Sequence, residues 1–221
     1  MIVLDKICKS YRTNHDIHKV LDNISVTFKD GVNTAVLGLN GSGKSTLIRL
    51  IGGAELPDSG RIIRKSTVSW PIGFTGCFHG SLTGRENLRF VCRIYGADIR
   101  KVTSYVEEFS ELGEYLDMPF KTYSSGMRAK LAFGLSLAVG FDFYLIDEAF
   151  SVGDVVFRRK AEVELNKLKE RATLIYVSHS SSSVIQHCSA GAVLNQGHLE
   201  YFDDIKQAIK KYTEICNAKQ K

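Results

Sequence analysis

The sequence predicts an α/β fold that has a mixed sheet and an inserted helical subdomain. Three observations predict it. Short apolar runs typical of buried strands alternate with segments of helical periodicity. A glycine-rich turn of the phosphate-binding type joins one such strand to a helix. Residues from about 78 to 137 show helical periodicity once the loop at their start ends, as expected for a helical insertion into the α/β core.

Length and composition are those of one folded domain. The chain has 221 residues, of which 44% are hydrophobic and 24% charged, enough for a sizeable core and typical of a globular protein. The formal net charge is +5. A mild basic excess fits a phosphate ligand, an anionic membrane face or nucleic acid, and it does not choose between them.

The cysteines and the N-terminus indicate a reducing compartment. The five cysteines are scattered and form no CxxC pair, so we predict neither a zinc site nor a disulfide framework. The first residues carry no signal-peptide pattern. The longest apolar stretch, residues 131–141, is shorter than the roughly 20 residues that a membrane span needs. We therefore expect a soluble chain that reaches a membrane only through a partner.

The strands are predicted from alternating or continuous apolar residues between turn signals. Pro57-Asp-Ser-Gly60 is one such turn. The predicted strands are 2–8, 20–28, 34–37, 61–63, 143–146 and 174–177, and 190–194 and 198–202 form a closing hairpin.

The helices are predicted from apolar residues at helical spacing. One begins near Gly43 and stops at Gly52. After a loop over 70–83, Thr83 and Glu86 have the spacing of a capping box, which begins two or three helices that end near Gly140. The remaining predicted helices are 162–169 and 205–215.

The segment Gly38-Leu-Asn-Gly-Ser-Gly-Lys-Ser45 matches the pattern GxxxxGK[ST] at every fixed position. Its glycines let backbone N–H groups close around phosphate oxygens, and the following helix adds its positive dipole end. Lys44 would neutralise the β- and γ-phosphates, and the Ser45 hydroxyl would ligate Mg²⁺. The residues expected to bind a nucleoside triphosphate are Gly38, Asn40, Gly41, Ser42, Gly43, Lys44, Ser45 and Thr46.

Two carboxylates, Asp147 and Glu148, follow the apolar strand 143–146. A parallel strand beside the phosphate loop delivers both to the carboxyl edge of the sheet, where ligands of α/β proteins bind. We predict that Asp147 holds Mg²⁺ and that Glu148 orients a water against the γ-phosphate, because phosphoryl transfer depends on positioning and charge neutralisation. The alternative is two solvated acids at the end of a strand.

His179 follows the apolar strand 174–177, from where it could contact the γ-phosphate. A structural histidine is the alternative.

With Tyr123-Ser-Ser-Gly-Met127 placed 21 residues before Asp147, the chain resembles the nucleotide-binding subunits of ABC transporters. Ser124 and Gly126 match that family's signature motif, whereas Tyr123, Ser125 and Met127 depart from it. A serine and a glycine that open a helix form a second anion site, although a plain helix cap is the alternative.

The resemblance implies a head-to-tail homodimer with ATP between one subunit's phosphate loop and Ser124, Ser125 and Gly126 of the other. It implies that Asp154 meets the opposite subunit and that Tyr11 stacks on adenine; a surface tyrosine at a strand end is the alternative for Tyr11. The family usually has a metal-contacting glutamine before the helical subdomain. His79 is our candidate for that position, although neutral imidazole is a poor Mg²⁺ ligand.

The resemblance also implies one ABC ATP-binding domain over residues 1–221, with a core of about 1–77 and 138–221 and a helical subdomain of about 78–137. The resemblance is strongest to the ATPases of Gram-negative capsular-polysaccharide exporters. It extends over nearly the whole chain, and three segments carry it. Those segments are Ser69-Trp-Pro-Ile-Gly-Phe74, Gly80-Ser-Leu-Thr-Gly-Arg-Glu-Asn87 and Lys121-Thr-Tyr-Ser-Ser-Gly-Met-Arg128.

The implied activity is ATP hydrolysis coupled to export, with ATP and Mg²⁺, at the cytoplasmic face of the inner membrane. The implied partners are a second copy, an integral permease and, indirectly, a periplasmic export adaptor, with no nucleic acid. O-antigen or teichoic-acid exporters are the alternative substrate classes. ABC ATPases of DNA or ribosomes, small P-loop kinases and non-catalytic nucleotide-binding regulators are the alternative protein classes.

Overall fold

The computed structural model describes residues 1–12, 16–147, 155–178 and 181–218. In the described chain the strands alternate with helices, as the sequence predicts. The strands are β1 (Ile2–Arg12), β2 (Ile17–Phe28), β3 (Thr34–Leu37), β4 (Ser59–Arg64), β5 (Val68–Pro71), β6 (Phe143–Asp147), β7 (Thr173–Val177), β8 (Ala190–Asn195) and β9 (His198–Phe202).

The helices lie between these strands and at the end of the described chain. They are α1 (Lys44–Ile51), α2 (Gly84–Tyr95), α3 (Ile99–Ser110), α4 (Ser125–Val139), α5 (Val155–Leu168), α6 (Ser181–His187) and α7 (Ile205–Ala218), and two short 3₁₀ helices cover Gly113–Asp117 and Phe120–Thr122. None of the described helices is both long and apolar enough to cross a membrane.

The strands form two sheets. The larger has the order β5-β6-β7-β3-β8-β9; its pairs are parallel except for the antiparallel pair β8–β9, so the sheet is mixed, as predicted. The smaller is antiparallel, in the order β2-β1-β4. Because β3 lies in the middle of the larger sheet, its carboxyl end opens at the edge where α/β proteins bind ligands.

The core forms where the two sheets and α1 bury their apolar faces together. Ile2 and Phe28 of the small sheet, Leu47 of α1 and Phe143 of β6 are all fully buried in one cluster. On the other face of the large sheet, Ala208 and Tyr212 of α7 pack against β3 and β8. This burial holds β3 and α1, and therefore the loop between them, in fixed positions.

The chain divides into two compact units. The first consists of Met1–Pro71, Phe141–Glu148 and Arg171–Lys221, and the second of Ile72–Gly140 and Ala149–Glu170. The second unit is helical in its described part. The second unit includes α5, whereas the sequence-based division placed residues 138–221 in the core. The reason is packing, since the Phe157 ring lies 5.8 Å from that of Phe109 and 5.7 Å from that of Phe133.

One predicted loop is partly a strand. The sequence indicates a loop over 70–83, but Trp70 lies in β5, which pairs with β6. The Trp70 ring makes an edge contact with Phe141, with ring centroids 5.3 Å apart. Residues 70–83 are rich in Gly, Ser and Thr, so the strand signal is too short to identify without its partner strand. The capping box is confirmed: the Thr83 hydroxyl accepts from the backbone N–H of Glu86, whose carboxylate accepts from the N–H of Thr83.

Candidate functional site

The phosphate loop joins the end of β3 to the start of α1 and depends on its glycines. Gly41 and Gly43 have φ angles of +78° and +104°, which side-chain-bearing residues rarely adopt. A Cβ at Gly43 would lie 2.8 Å from the Cγ1 of Val20. A Cβ at Gly38 would lie 2.5 Å from the carbonyl oxygen of Leu194 in β8. At Gly38 and Gly43 the loop therefore lies so close to its neighbouring strands that only glycine fits.

The start of α1 has no side-chain cap. Gly43 is its N-cap and supplies no side-chain hydrogen bond, and the first turn of α1 contains no acidic residue. The first N–H groups of a helix have no partner within the helix, and they lie at its positive dipole end. This arrangement favours an anion at the mouth of the loop.

Lys44 lies over the loop that precedes it. Its ammonium donates to the carbonyl oxygens of Gly38, at 2.7 Å, and Leu39, at 3.0 Å. Neutral carbonyls only partly compensate an ammonium, so a phosphate oxygen is a stronger partner for the same group. The lysine is thus held at the loop, where a bound anion could attract it.

The Ser42 hydroxyl lacks an internal partner. Its Oγ is buried and forms no hydrogen bond with the part of the chain that the structure describes. A buried polar atom without a partner is costly, and a bound ligand is one way to satisfy it. Together with the Gly38 and Gly43 positions, this atom makes the loop fit a phosphate group.

A cavity of about 390 Å³ opens in front of the loop. It is lined by six of the eight predicted loop residues, together with the predicted metal ligand Asp147. The lining residues are His18, Val20, Asn40, Gly41, Gly43, Lys44, Ser45, Thr46, Asp147 and Val177. Asp147 reaches the cavity because β6 ends there, beside Val177 of β7 in the register of the sheet.

The donor atoms of this cavity fit Mg²⁺. The Ser45 hydroxyl and the Asp147 carboxylate both line it, and Mg²⁺ prefers such oxygen ligands. Within the described ranges, no group of three or more His, Cys, Asp or Glu side chains could hold a metal ion on its own. One hydroxyl and one carboxylate suit Mg²⁺, which binds one or two protein oxygens and completes its shell with waters and substrate phosphates.

His18 and Val20 of β2 line the cavity although the sequence analysis did not include them. His18 lies directly opposite Tyr11 in the β1–β2 register, so both side chains lie on one face of this strand pair. No local motif marks these positions, since they reach the loop only through strand pairing.

Tyr11 lies beside the cavity and does not line it. Its hydroxyl is 2.8 Å from both carboxylate oxygens of Glu55 and 3.5 Å from the Oγ1 of Thr46, a lining residue. The Lys9 ammonium lies 5.6 Å from the centre of the Tyr11 ring. Adenine stacking on Tyr11 therefore stays a prediction.

The signature residues lie at the start of α4, in the second unit. The exposed Ser124 is the N-cap, and its hydroxyl accepts from the N–H of Met127 at 3.3 Å. Ser125 and Gly126 form the first turn, which contains no acidic residue. Arg128 donates to the carbonyl oxygen of Tyr123 and so stabilises the entry to the helix. This geometry is that of an exposed, capped helix start, and the anion site at Ser124, Ser125 and Gly126 stays a prediction.

His79, also in the second unit, is exposed. Its backbone N–H donates to the Oδ1 of the buried Asn87, whose amide group donates back to the His79 carbonyl. Its Nδ1 accepts from the N–H of Ser81 at 3.4 Å. Because Nδ1 faces its own turn, Nε2 is the ring nitrogen left for an external partner. Replacement of the family's glutamine stays a prediction.

The other three predicted residues, Glu148, Asp154 and His179, lie outside the described residues. Their roles stay predictions from the sequence.

Comparison with known proteins gives the family. The family model described as ABC transporter matches residues 21–151, and the chain belongs to this family. It is 48% identical to the polysialic acid transport ATP-binding protein KpsT of Escherichia coli, over 96% of this chain and 98% of that protein. It is 49% identical to the capsule polysaccharide export ATP-binding protein CtrD of Neisseria meningitidis serogroup B, over 97% of this chain and all of that protein. The teichoic acids export ATP-binding protein TagH of Staphylococcus haemolyticus is 40% identical, over 88% of this chain and 75% of that protein.

Solved structures share the fold. The dimeric post-hydrolysis state of the ATP-binding cassette MJ0796 bound to ADP and Pi matches with a TM-score of 0.76. The match covers 93% of this chain and 99% of that one, at 22% identity. The predicted P-loop α/β architecture of an ABC ATPase is thereby confirmed.

Proposed function

We propose that this chain is the ATP-hydrolysing subunit of an exporter of capsular polysaccharide. The observation that carries the proposal is a single cavity lined by Lys44, Ser45 and Asp147 at the carboxyl edge of the sheet. A cationic group, a hydroxyl and a carboxylate so arranged suit a nucleoside triphosphate and its metal ion. The chain is 48% identical to a polysialic acid transport ATP-binding protein and 49% identical to a capsule polysaccharide export ATP-binding protein, which supports this substrate class.

Each loop residue has a task that its geometry suits. The backbone N–H groups of the loop and of α1 hold phosphate oxygens, and Lys44 exchanges the Gly38 carbonyl for the β- and γ-phosphates. Ser45 and Asp147 would hold Mg²⁺, which supplies charge neutralisation between the two phosphates. Glu148 orients the attacking water, and His179 contacts the γ-phosphate.

A second copy of the chain completes each site. The start of α4 carries Ser124 as its exposed N-cap and Gly126 in its first turn. We propose that it contacts the ATP held by the partner, with Asp154 at the same interface. The matched MJ0796 structures are described as dimeric.

The export machinery supplies the membrane path. We propose that a permease contacts the second unit near His79 and places the chain at the cytoplasmic face of the inner membrane. ATP binding then closes the dimer and hydrolysis reopens it, which moves the permease between two states. A periplasmic export adaptor would act beyond the permease.

Co-purification from membranes tests the proposal. The tagged chain, expressed in a capsulated strain lacking its own capsule-export ATPase, should restore surface capsule and recover an integral membrane protein. A Lys44→Ala chain should recover the same protein but restore no capsule. If the wild-type chain restored teichoic-acid or O-antigen export instead, the substrate class would be wrong while the ATPase assignment stood.

A further inference from the structure

Glu55, in the turn after α1, contacts three side chains. Its carboxylate accepts from the Tyr11 hydroxyl at 2.8 Å, from the Arg49 Nε at 3.1 Å, and pairs with the Lys9 ammonium at 3.2 Å. Tyr11 and Lys9 come from β1 and Arg49 comes from α1. One carboxylate therefore joins β1 to the helix that follows the phosphate loop.

Tyr11 is fixed at its far end by this carboxylate. Its hydroxyl donates to Glu55 and accepts from the Arg49 Nη2 at 3.0 Å. The same Nη2 lies 3.2 Å from the Oγ1 of Thr46, which lines the cavity. On β2, the cross-strand neighbour His18 lines it too. The ring thus lies between two elements of the cavity wall, with a fixed orientation.

Glu55 stays charged near neutral pH. Burial raises the pKa of its carboxyl, but hydrogen bonds from Tyr11, Arg49 and Lys9 together outweigh burial and hold the pKa below its usual range. The charge makes the hydrogen bond from the phenol stronger than a neutral one.

We propose that Glu55 is a positioning residue of the nucleotide site, acting through the Tyr11 hydroxyl to hold the ring in place for the base of the bound nucleotide. This inference rests on the proposed function, in which the base lies against Tyr11. A tyrosine held in one rotamer before binding loses less conformational entropy when the nucleotide arrives. We expect Glu55 to contribute only to the affinity for the base, because the affinity for the phosphates depends on the phosphate loop.

The test compares two ligands that share phosphates and differ in the base. Glu55→Ala should weaken ATP binding about three- to tenfold, in line with one side chain losing its preorganisation. Its affinity for inorganic tripolyphosphate should stay unchanged. Asp58→Ala is the matched control: Asp58 also pairs with Lys9, at 3.1 Å, and accepts from the Ser10 N–H, but among the described residues the Tyr11 hydroxyl bonds to Glu55, Arg49 and Thr46 and not to Asp58. It should leave the affinity for ATP unchanged.

Double substitution shows whether Glu55 acts through Tyr11. Tyr11→Phe keeps the ring, removes the hydroxyl and should weaken ATP binding as much as Glu55→Ala does; it carries the test if Glu55→Ala does not fold by circular dichroism. Adding Glu55→Ala to Tyr11→Phe should have no further effect. Three results would overturn this inference and leave the proposed function standing. They are an equal loss of affinity for ATP and tripolyphosphate in Glu55→Ala, additive losses of ATP affinity in the double variant, and an unchanged ATP affinity in Tyr11→Phe. A wild-type chain that bound tripolyphosphate but not ATP would overturn the proposed function as well.

Discussion

The Lys44 ammonium lies 2.7 Å from the carbonyl oxygen of Gly38, the first residue of its own phosphate loop. From this position a short side-chain movement brings the lysine to a phosphate held by the loop. An added Cβ at Gly38 would lie 2.5 Å from the carbonyl oxygen of Leu194, so β8 packs closely against the residue whose carbonyl accepts from the lysine. Binding thus exchanges one partner of Lys44 for another and needs little rearrangement of the backbone.

Lys44→Ala should weaken ATP binding by at least tenfold, because it removes a charge-assisted contact worth about 1.5–3 kcal/mol. Isothermal titration calorimetry measures the dissociation constant. Lys65→Ala is the matched control, because this substitution removes the same charge. Lys65 is an exposed lysine just after β4 in the same unit. Equal losses in the two variants would show that only net charge matters.

Gly43→Ala should cost about 1–3 kcal/mol of the free energy of unfolding and abolish ATP binding, because its φ is +104° and a Cβ would meet Val20. Gly31→Ala is the control: its φ is +76°, but nothing lies within 4 Å of the added Cβ. It should lose only about 1 kcal/mol, with ATP affinity intact. Urea unfolding and ATP titration measure both quantities. Retained ATP binding by Gly43→Ala would contradict the close fit of the loop.

Asp147→Asn should leave ATP binding without metal nearly intact and remove most of the gain in affinity from Mg²⁺, because a neutral amide is a poorer ligand for the ion than a carboxylate. The readout is the ATP dissociation constant titrated with MgCl₂. Asp142→Asn is the control, since Asp142 lies immediately before β6, the strand that ends at Asp147. Asp142 accepts from the N–H and hydroxyl of Thr67, so this substitution should lower stability without changing the Mg²⁺ response. A normal Mg²⁺ response in Asp147→Asn would remove Asp147 from the metal site.

Ser124→Arg should leave ATP binding by the monomer unchanged and abolish hydrolysis, because a bulky cation replaces the small N-cap of α4 that we expect to face the partner's nucleotide. Mixed with Lys44→Ala chains, it should restore part of the activity, since one composite site of the heterodimer is intact. Steady-state phosphate release measures both. Full activity of Ser124→Arg by itself would contradict the shared site.

Glu148→Gln should keep ATP and accumulate as a dimer, because binding is preserved while the attacking water loses its base. Size-exclusion chromatography with light scattering, with and without ATP, detects the dimer. Wild-type hydrolysis by this variant would remove Glu148 from its role.

The amino-acid sequence by itself determined the α/β class, the phosphate loop and the Thr83 capping box. Each depends on residues close together in the chain, whose backbone preferences and spacing act locally. The same holds for Asp147, since an apolar run that ends in a carboxylate marks the end of a buried strand.

Only the tertiary structure decided which distant residues meet at the cavity. His18 lines it because β2 pairs with β1, and Glu55 contacts Tyr11 because α1 packs beneath the small sheet. Likewise, α5 belongs to the helical unit because Phe157 packs against Phe109. The described residues that precede it in the chain, 141–147, belong to the other unit. Strand register and core packing join residues far apart in sequence, and no local pattern records those pairings.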